Sequence, residues 1–167
     1  MNTITKGQGI RAKKVAMAIA DGMKAESTAM LRSALVKEGA VPLLLGVRRE
    51  AVRSADGLEF LPDATLQESG STAFDALVLP DGDEAVDYLV KDGHVIGLLQ
   101  HQYRLCNTIL AVGASAKLLQ KCGIPAELPD GSPNRGVLVA GASADVAPQL
   151  IAAIAQNAYS GRAQRGC

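Results

Sequence analysis

The stretch Ile109-Leu110-Ala111-Val112 runs into Gly113-Ala114-Ser115-Ala116 and then into Lys117-Leu118-Leu119. An apolar run of strand length that meets a small-residue turn and enters a helical pattern has the form of a nucleophile elbow. On such a tight strand-to-helix turn many α/β enzymes raise their attacking group. This turn carries no thiol, and its nearest hydroxyl is Ser115. A serine nucleophile needs a general base. The chain's two histidines, His94 and His101, both precede Ser115 on a stretch of helical spacing, whereas hydrolases of this type place the histidine after the serine. Gly-Ala-Ser-Ala also lacks the second glycine of Gly-x-Ser-x-Gly. The elbow at Gly113, Ala114 and Ser115 is therefore read as degenerate, and no catalytic residue is assigned there.

The alternative thiol is Cys106. It ends a helical stretch, five residues after His101 and two after Arg104. Reactive thiolates need a lowered pKa, which a helix C-terminus opposes, so Cys106 is expected to be a structural cysteine. Cys122, at another helix end, falls under the same argument, and Cys167 is terminal. Three widely spaced cysteines give no disulfide framework and no Cys-x-x-Cys zinc pattern. Acidic candidates cluster after apolar runs: Asp21-Gly22 with Glu26, and Asp81-Gly82 with Asp83 and Glu84. A pair such as Asp21 and Asp81 at neighbouring strand ends could act as acid and base or bind a metal. Asp-Gly is equally an ordinary turn dipeptide, and no metal site is assigned. With no Gly-x-Gly-x-x-Gly, phosphate loop or EF-hand spacing, no cofactor is expected.

Five apolar runs can position these groups as strands: 14–20, 41–47, 74–79, 108–112 and 136–140. Continuous rather than alternating apolar character marks strands covered on both faces. Helical spacing fills the intervals. It places Ser27, Met30, Leu31, Ala34, Leu35 and Glu38 on one helix that Gly39 stops, and predicts further helices over 83–90, 94–106, 114–121 and 144–159. Ala55-Asp56-Gly57 between two short runs predicts a hairpin. Residues 63–72 and the proline-bearing 123–135 read as loops. The expected fold is a single α/β domain, doubly wound and flavodoxin-like, with a mainly parallel sheet. Residues 1–12 are expected to be a tail or linker, and 163–167 a second tail.

Composition narrows the partners. Lys+Arg and Asp+Glu are 17 each, and aromatics are 3% with no Trp. That gives no charge excess for nucleic acid or anionic membrane, and no base-stacking platform. The apolar run 15–20 is too short for a signal core or a membrane span. The expected compartment is the cytoplasm.

Taken in order, Lys14–Gly22, Phe74–Gly82, Gln102–Cys106 and Ile109–Gly113, with Ala55-Asp56-Gly57 and Gly136–Val139 between and after them, resemble the C-terminal domain of large-subunit catalases. The resemblance covers about residues 13–162. It implies membership of the class I glutamine amidotransferase-like superfamily, beside PfpI-type proteases and protein deglycases. Active members carry a cysteine at the elbow, a glutamate from the first strand end, and often a histidine. Here Gly113 holds the elbow and Glu26 is the only nearby glutamate. The third-strand turn, commonly Pro-Gly-Gly in relatives, is Pro80-Asp81-Gly82. The catalase domain has likewise lost its elbow cysteine. The resemblance thus implies a domain without catalysis or haem of its own, contributing stability, assembly or chaperone-like protection under oxidative stress. Its expected partner is a haem catalase core or a second copy of itself, in a homo-oligomer. The alternatives are a thiol-dependent stress enzyme (glyoxalase, deglycase or peptidase) using Cys106, or a small-molecule sensor using the cleft near Gly22, Gly82 and Gly113.

Overall fold

A computed structural model of the chain describes residues 9–70, 74–132, 134, 136–141 and 146–160, with side chains as far as residue 156. The chain starts from β1 (Lys14–Ala18) and passes through α1 (Ala25–Lys37) to β2 (Val41–Gly46). β3 (Val52–Arg53) and β4 (Glu59–Phe60) follow, then β5 (Ala64–Thr65) and β6 (Ala76–Leu79). Two successive helices, α2 (Asp83–Val90) and α3 (Gly93–Arg104), lead to β7 (Thr108–Val112). A 3₁₀ turn over Gly113–Ser115 enters α4 (Ala116–Cys122), and β8 (Val137–Ala140) and α5 (Ala147–Ser160) complete the domain.

Six strands form one sheet in the order β5-β2-β1-β6-β7-β8, and every pairing in it is parallel. The chain winds outward from β1 to β2 and then crosses back to β6 on the other side. The switch point, outside whose carboxyl ends ligands collect in open α/β sheets, therefore lies between β1 and β6. β6 and β7 are buried at every position, and β1 at all but its first. This is why they read as unbroken apolar runs: helices cover both faces. Val15, Leu79, Ile109, Leu110 and Leu89 are each 0% exposed within one continuous core. Such a side chain contributes about 1.5–3 kcal/mol on burial. The expected doubly wound α/β fold is the observed one.

Three elements depart from the sequence expectation. The 63–72 segment contributes a sixth strand, β5. The Asp63 N–H donates to the Leu44 carbonyl (2.7 Å), the Leu44 N–H returns a bond to Asp63 Oδ2 (2.8 Å), and the Leu66 N–H donates to the Gly46 carbonyl (2.8 Å). The helix after β7 begins two residues late, because the elbow residues take the tighter 3₁₀ turn. The N-terminal lead is docked from residue 10: Ile10 is 1% exposed, and the Ala12 N–H donates to the Gly39 carbonyl at 2.8 Å. The rest of that lead, residues 144–145 of the last expected helix, and the C-terminal tail lie outside the described residues. The expected hairpin forms as β3–β4 in a separate antiparallel pair. It is tied to the first strand's turn, with the Gly22 N–H donating to the Arg53 carbonyl and the Arg53 N–H to Asp21 Oδ1, both at 2.9 Å.

Candidate functional site: the elbow and the third-strand turn

β7 ends at Val112, and the chain reverses sharply at Gly113 with φ of +58°. Residues with a Cβ are strained there by roughly 1–2 kcal/mol. A β-carbon at Gly113 would also have no room. It would stand 2.1 Å from Asp81 Oδ1, 2.3 Å from Cγ and 2.7 Å from Oδ2. The position from which an elbow nucleophile projects is thus filled by a carboxylate from the turn of the neighbouring strand.

Asp81 follows β6, next to β7 in the sheet, and is 3% exposed. Its Oδ1 accepts two backbone N–H bonds, from Gly82 at 2.7 Å and from Ala114 at 2.9 Å. Its Oδ2 is buried with no hydrogen-bond partner, and its counter-charge is the Lys24 ammonium at 3.7 Å. Lys24 is 60% exposed on its side chain, so solvent weakens that attraction. The Lys24 N–H also donates to the Asp81 carbonyl at 3.0 Å, which locks the first-strand turn against the third-strand turn. Gly82 is needed at this contact, since a β-carbon there would lie 2.7 Å from the Gly22 carbonyl oxygen.

The candidates separate accordingly. Asp81, Gly82, Gly113 and Ala114 come together, and Gly22 abuts Gly82. Asp21, expected to face the same cleft, instead turns its exposed carboxylate to the Arg53 N–H and anchors the hairpin. Glu26 is exposed in the first turn of α1, and among the described residues no hydrogen bond or ion pair joins it to the elbow. Asp83 and Glu84 open α2 on its exposed side, with Glu84 covering Gly22. Ser115 is 0% exposed, and its Oγ donates to the Val112 carbonyl at 2.8 Å, with the Leu79 carbonyl 3.4 Å away. Its hydroxyl braces the elbow and faces no base. His94 is exposed, with its Nδ1 3.3 Å from Asp92 Oδ1.

Cys106 sits in the turn between α3 and β7, with φ of +61°. That is the start of β7, and the elbow is at its end. Five residues of strand at about 3.3 Å each separate them by roughly 16 Å. The expected buried structural cysteine is in fact half-buried, and it is disulfide-bonded rather than a free thiol, against the expectation of no disulfide. Cys122 is the free cysteine among the described residues. Burial pushes its thiol above the ordinary value, with Lys121 pulling weakly the other way. Among the described residues no group of three His, Cys, Asp or Glu side chains could hold a metal ion, and no helix is long and apolar enough to cross a membrane. Lys24 is the site residue that sequence reasoning missed. A lysine two residues past an Asp-Gly turn carries no signal that its ammonium faces a buried carboxylate from another strand.

Comparison with known proteins places the chain in a family. A model of the DJ-1/PfpI family matches residues 13–127. Catalase HPII of Pseudomonas aeruginosa is 31% identical over 148 residues, covering 89% of this chain and 20% of that catalase. Catalase HPII of Mycobacterium avium is 29% identical over 150 residues, covering 87% and 21%. The chain spans about a fifth of the length of the catalases it matches. Drosophila melanogaster DJ-1beta superposes with a TM-score of 0.72 at 20% identity, covering 90% of this chain and 97% of that one. The fold is shared with it throughout.

Proposed function

Because the chain belongs to the DJ-1/PfpI family, we propose that it is a member without elbow chemistry, one that works through its surfaces. Its role is to support the stability, assembly or chaperone-like protection of a haem catalase, or of other proteins under oxidative stress. One observation carries this reading: the nucleophile's place at Gly113 is taken by the Asp81 carboxylate, which also saturates the adjacent N–H pair. Thiol chemistry at an elbow needs an attacking sulfur and free donors for the oxyanion. Here the sulfur is absent and the donors are occupied. The likeness to catalases HPII supports the catalase side of the proposal.

Two measurements test it. Methylglyoxal consumption and peptide hydrolysis by the wild-type chain are expected to equal the background of heat-inactivated protein, unchanged by Cys106→Ser or Cys122→Ser. A haem catalase heated with an equimolar amount of the chain is expected to keep more activity, and to scatter less light, than with equimolar albumin. Turnover that one cysteine substitution abolishes would establish the thiol-enzyme alternative. Absence of protection would remove the surface role.

A further inference from the structure

We propose that the chain carries a ligand site away from the elbow: a cleft at the carboxyl ends of β2 and β5 that binds a small phosphate monoester through Arg48 and Arg49. This site goes beyond the surface role proposed above and does not depend on the state of the elbow.

In open parallel sheets ligands gather outside the carboxyl ends of the strands, and β2 and β5 end side by side there. Between their turns lies an open cleft of about 590 Å³, with the Arg48–Glu50 turn on one side and Thr65, Gln67 and Glu68 on the other. Its size falls in the range of small-molecule pockets, roughly 300–1,000 Å³. A smaller hollow of about 40 Å³ at the end of β1 adjoins it, and Arg48 lines both. Arg48 and Arg49 are consecutive, yet both face the same cleft. Consecutive side chains of a strand diverge, but β2 ends at Gly46 and the bend that follows brings the two together. Gly46 permits that bend. A β-carbon there would stand 2.8 Å from the Arg48 carbonyl oxygen and 2.9 Å from Pro62 Cγ.

The two guanidinium groups are held differently, and the difference selects an anion. Glu68 Oε1 accepts the Thr65 N–H at 2.9 Å and the Thr65 hydroxyl at 3.0 Å, which fixes the carboxylate. Its other oxygen takes Arg49 Nη2. Arg49 is thus aimed by a carboxylate that is itself anchored, and among the described residues its other N–H groups are left for a ligand. Arg48 has no such partner. Its Nη2 stands 3.4 Å from the neutral Tyr88 hydroxyl, and its Nε 3.5 Å from Glu50 Oε1. An exposed ion pair of that length contributes little, so Glu50 can turn to water and leave the charge of Arg48 to a ligand. An arginine fork matches two oxygens of one anion. A phosphate monoester offers three oxygens and close to two negative charges at neutral pH, enough to engage both forks at once. A carboxylate offers two oxygens and one charge.

Calorimetric titration of the full chain with glycerol 3-phosphate, inorganic phosphate and acetate, at matched ionic strength, tests the site. Saturable single-site binding is expected for both phosphates, and several-fold weaker binding for acetate. Arg48→Gln is expected to weaken phosphate binding about tenfold or more, through loss of charge-assisted bonds. Glu68→Gln keeps both arginines but loosens the aim of Arg49, and is expected to weaken binding several-fold. Glu50→Gln removes the competing carboxylate and is expected to strengthen it. The side chains of Arg48 and Glu50 are 69% and 78% exposed, so these two variants keep the fold, which far-UV circular dichroism checks. Lys37→Met, exposed in the last turn of α1 before β2 starts, is the charge-matched control and is expected to bind as the wild type does. Equal losses in Lys37→Met and Arg48→Gln would mean general charge attraction and overturn the site. Unsaturable binding, or acetate bound as tightly as phosphate, would overturn it too. Phosphate binding that survives Arg48→Gln but is lost in Lys24→Met would place the anion at the elbow and refute this cleft.

Discussion

Gly113→Ala isolates the contact on which the site argument turns. The added β-carbon meets two separate penalties. The backbone has φ of +58°, which costs a residue with a Cβ about 1–2 kcal/mol. The methyl would also stand 2.1 Å from Asp81 Oδ1, so the carboxylate must leave its seat and break at least the Ala114 N–H bond. A hydrogen bond to a charged group is worth about 1.5–3 kcal/mol, which brings the total to about 2.5–5 kcal/mol. That is a large part of the roughly 5–15 kcal/mol that holds a domain folded, and it corresponds to a fall in melting temperature on the order of 10 °C.

Gly123→Ala supplies the control. Gly123 caps α4 with φ of +72°, and a β-carbon there would meet nothing within 4 Å. It carries the backbone penalty alone, about 1–2 kcal/mol. Urea unfolding followed by far-UV circular dichroism, compared at constant m-value, is expected to separate the two variants by about 1.5–3 kcal/mol. Placing Asp81→Gly in the Gly113→Ala background should reduce the cost of that alanine to the Gly123→Ala value, because the two residues share one volume. Equal costs for the two alanine variants in the otherwise wild-type chain would refute the claim that Asp81 occupies the nucleophile's place.

Ser115→Ala is expected to lower stability by about 1 kcal/mol in the same assay, through loss of the bond to the Val112 carbonyl; a larger loss of any enzymatic turnover than of stability would make Ser115 more than a brace. Cys122 has its thiol pKa raised chiefly by burial, so at any given pH it holds less thiolate than an ordinary cysteine. Its alkylation by iodoacetamide should lag a model thiol at about pH 8 and catch up only at higher pH; faster labelling than the model thiol would reverse the assignment. Glu68 has its carboxyl held below the usual range, first by the Thr65 N–H and hydroxyl and then by Arg49. A folded-state pKa below the unfolded one adds stability above the unfolded value, and that stability is lost as pH falls through the folded one. The gap in urea midpoint between wild type and Glu68→Gln should therefore hold from about pH 7 to about pH 5 and close towards about pH 3. A gap that ignores pH would detach it from this carboxylate.

The parts of the fold legible in sequence are those where burial leaves a periodic trace. β1, β6 and β7 read as apolar runs because helices cover both of their faces, and α1 ends at Gly39 as its spacing predicts. β5 leaves no such trace. Ala64-Thr65 is a two-residue strand flanked by the bonds of Asp63 and Leu66 to Leu44 and Gly46, too short to show any apolar period. The elbow was legible as a place, since a strand, a glycine and a helix must reverse the chain at Gly113. Its occupant was not. Asp21-Gly22 and Asp81-Gly82 are the same dipeptide after the same kind of strand, and no local rule tells them apart. What separates them is the neighbour. Asp21 faces a hairpin N–H in solvent, whereas Asp81 faces a glycine on the adjacent strand that leaves a hole one side chain wide. The glycine at 113 and the carboxylate at 81 are therefore one feature in space. The carboxylate fits only because position 113 has no β-carbon, and the N–H donors beside that position stay paired only because the carboxylate is there. Placing a cysteine at 113 by itself would thus not create a thiol site. The side chain that now fills that space has to be removed in the same step.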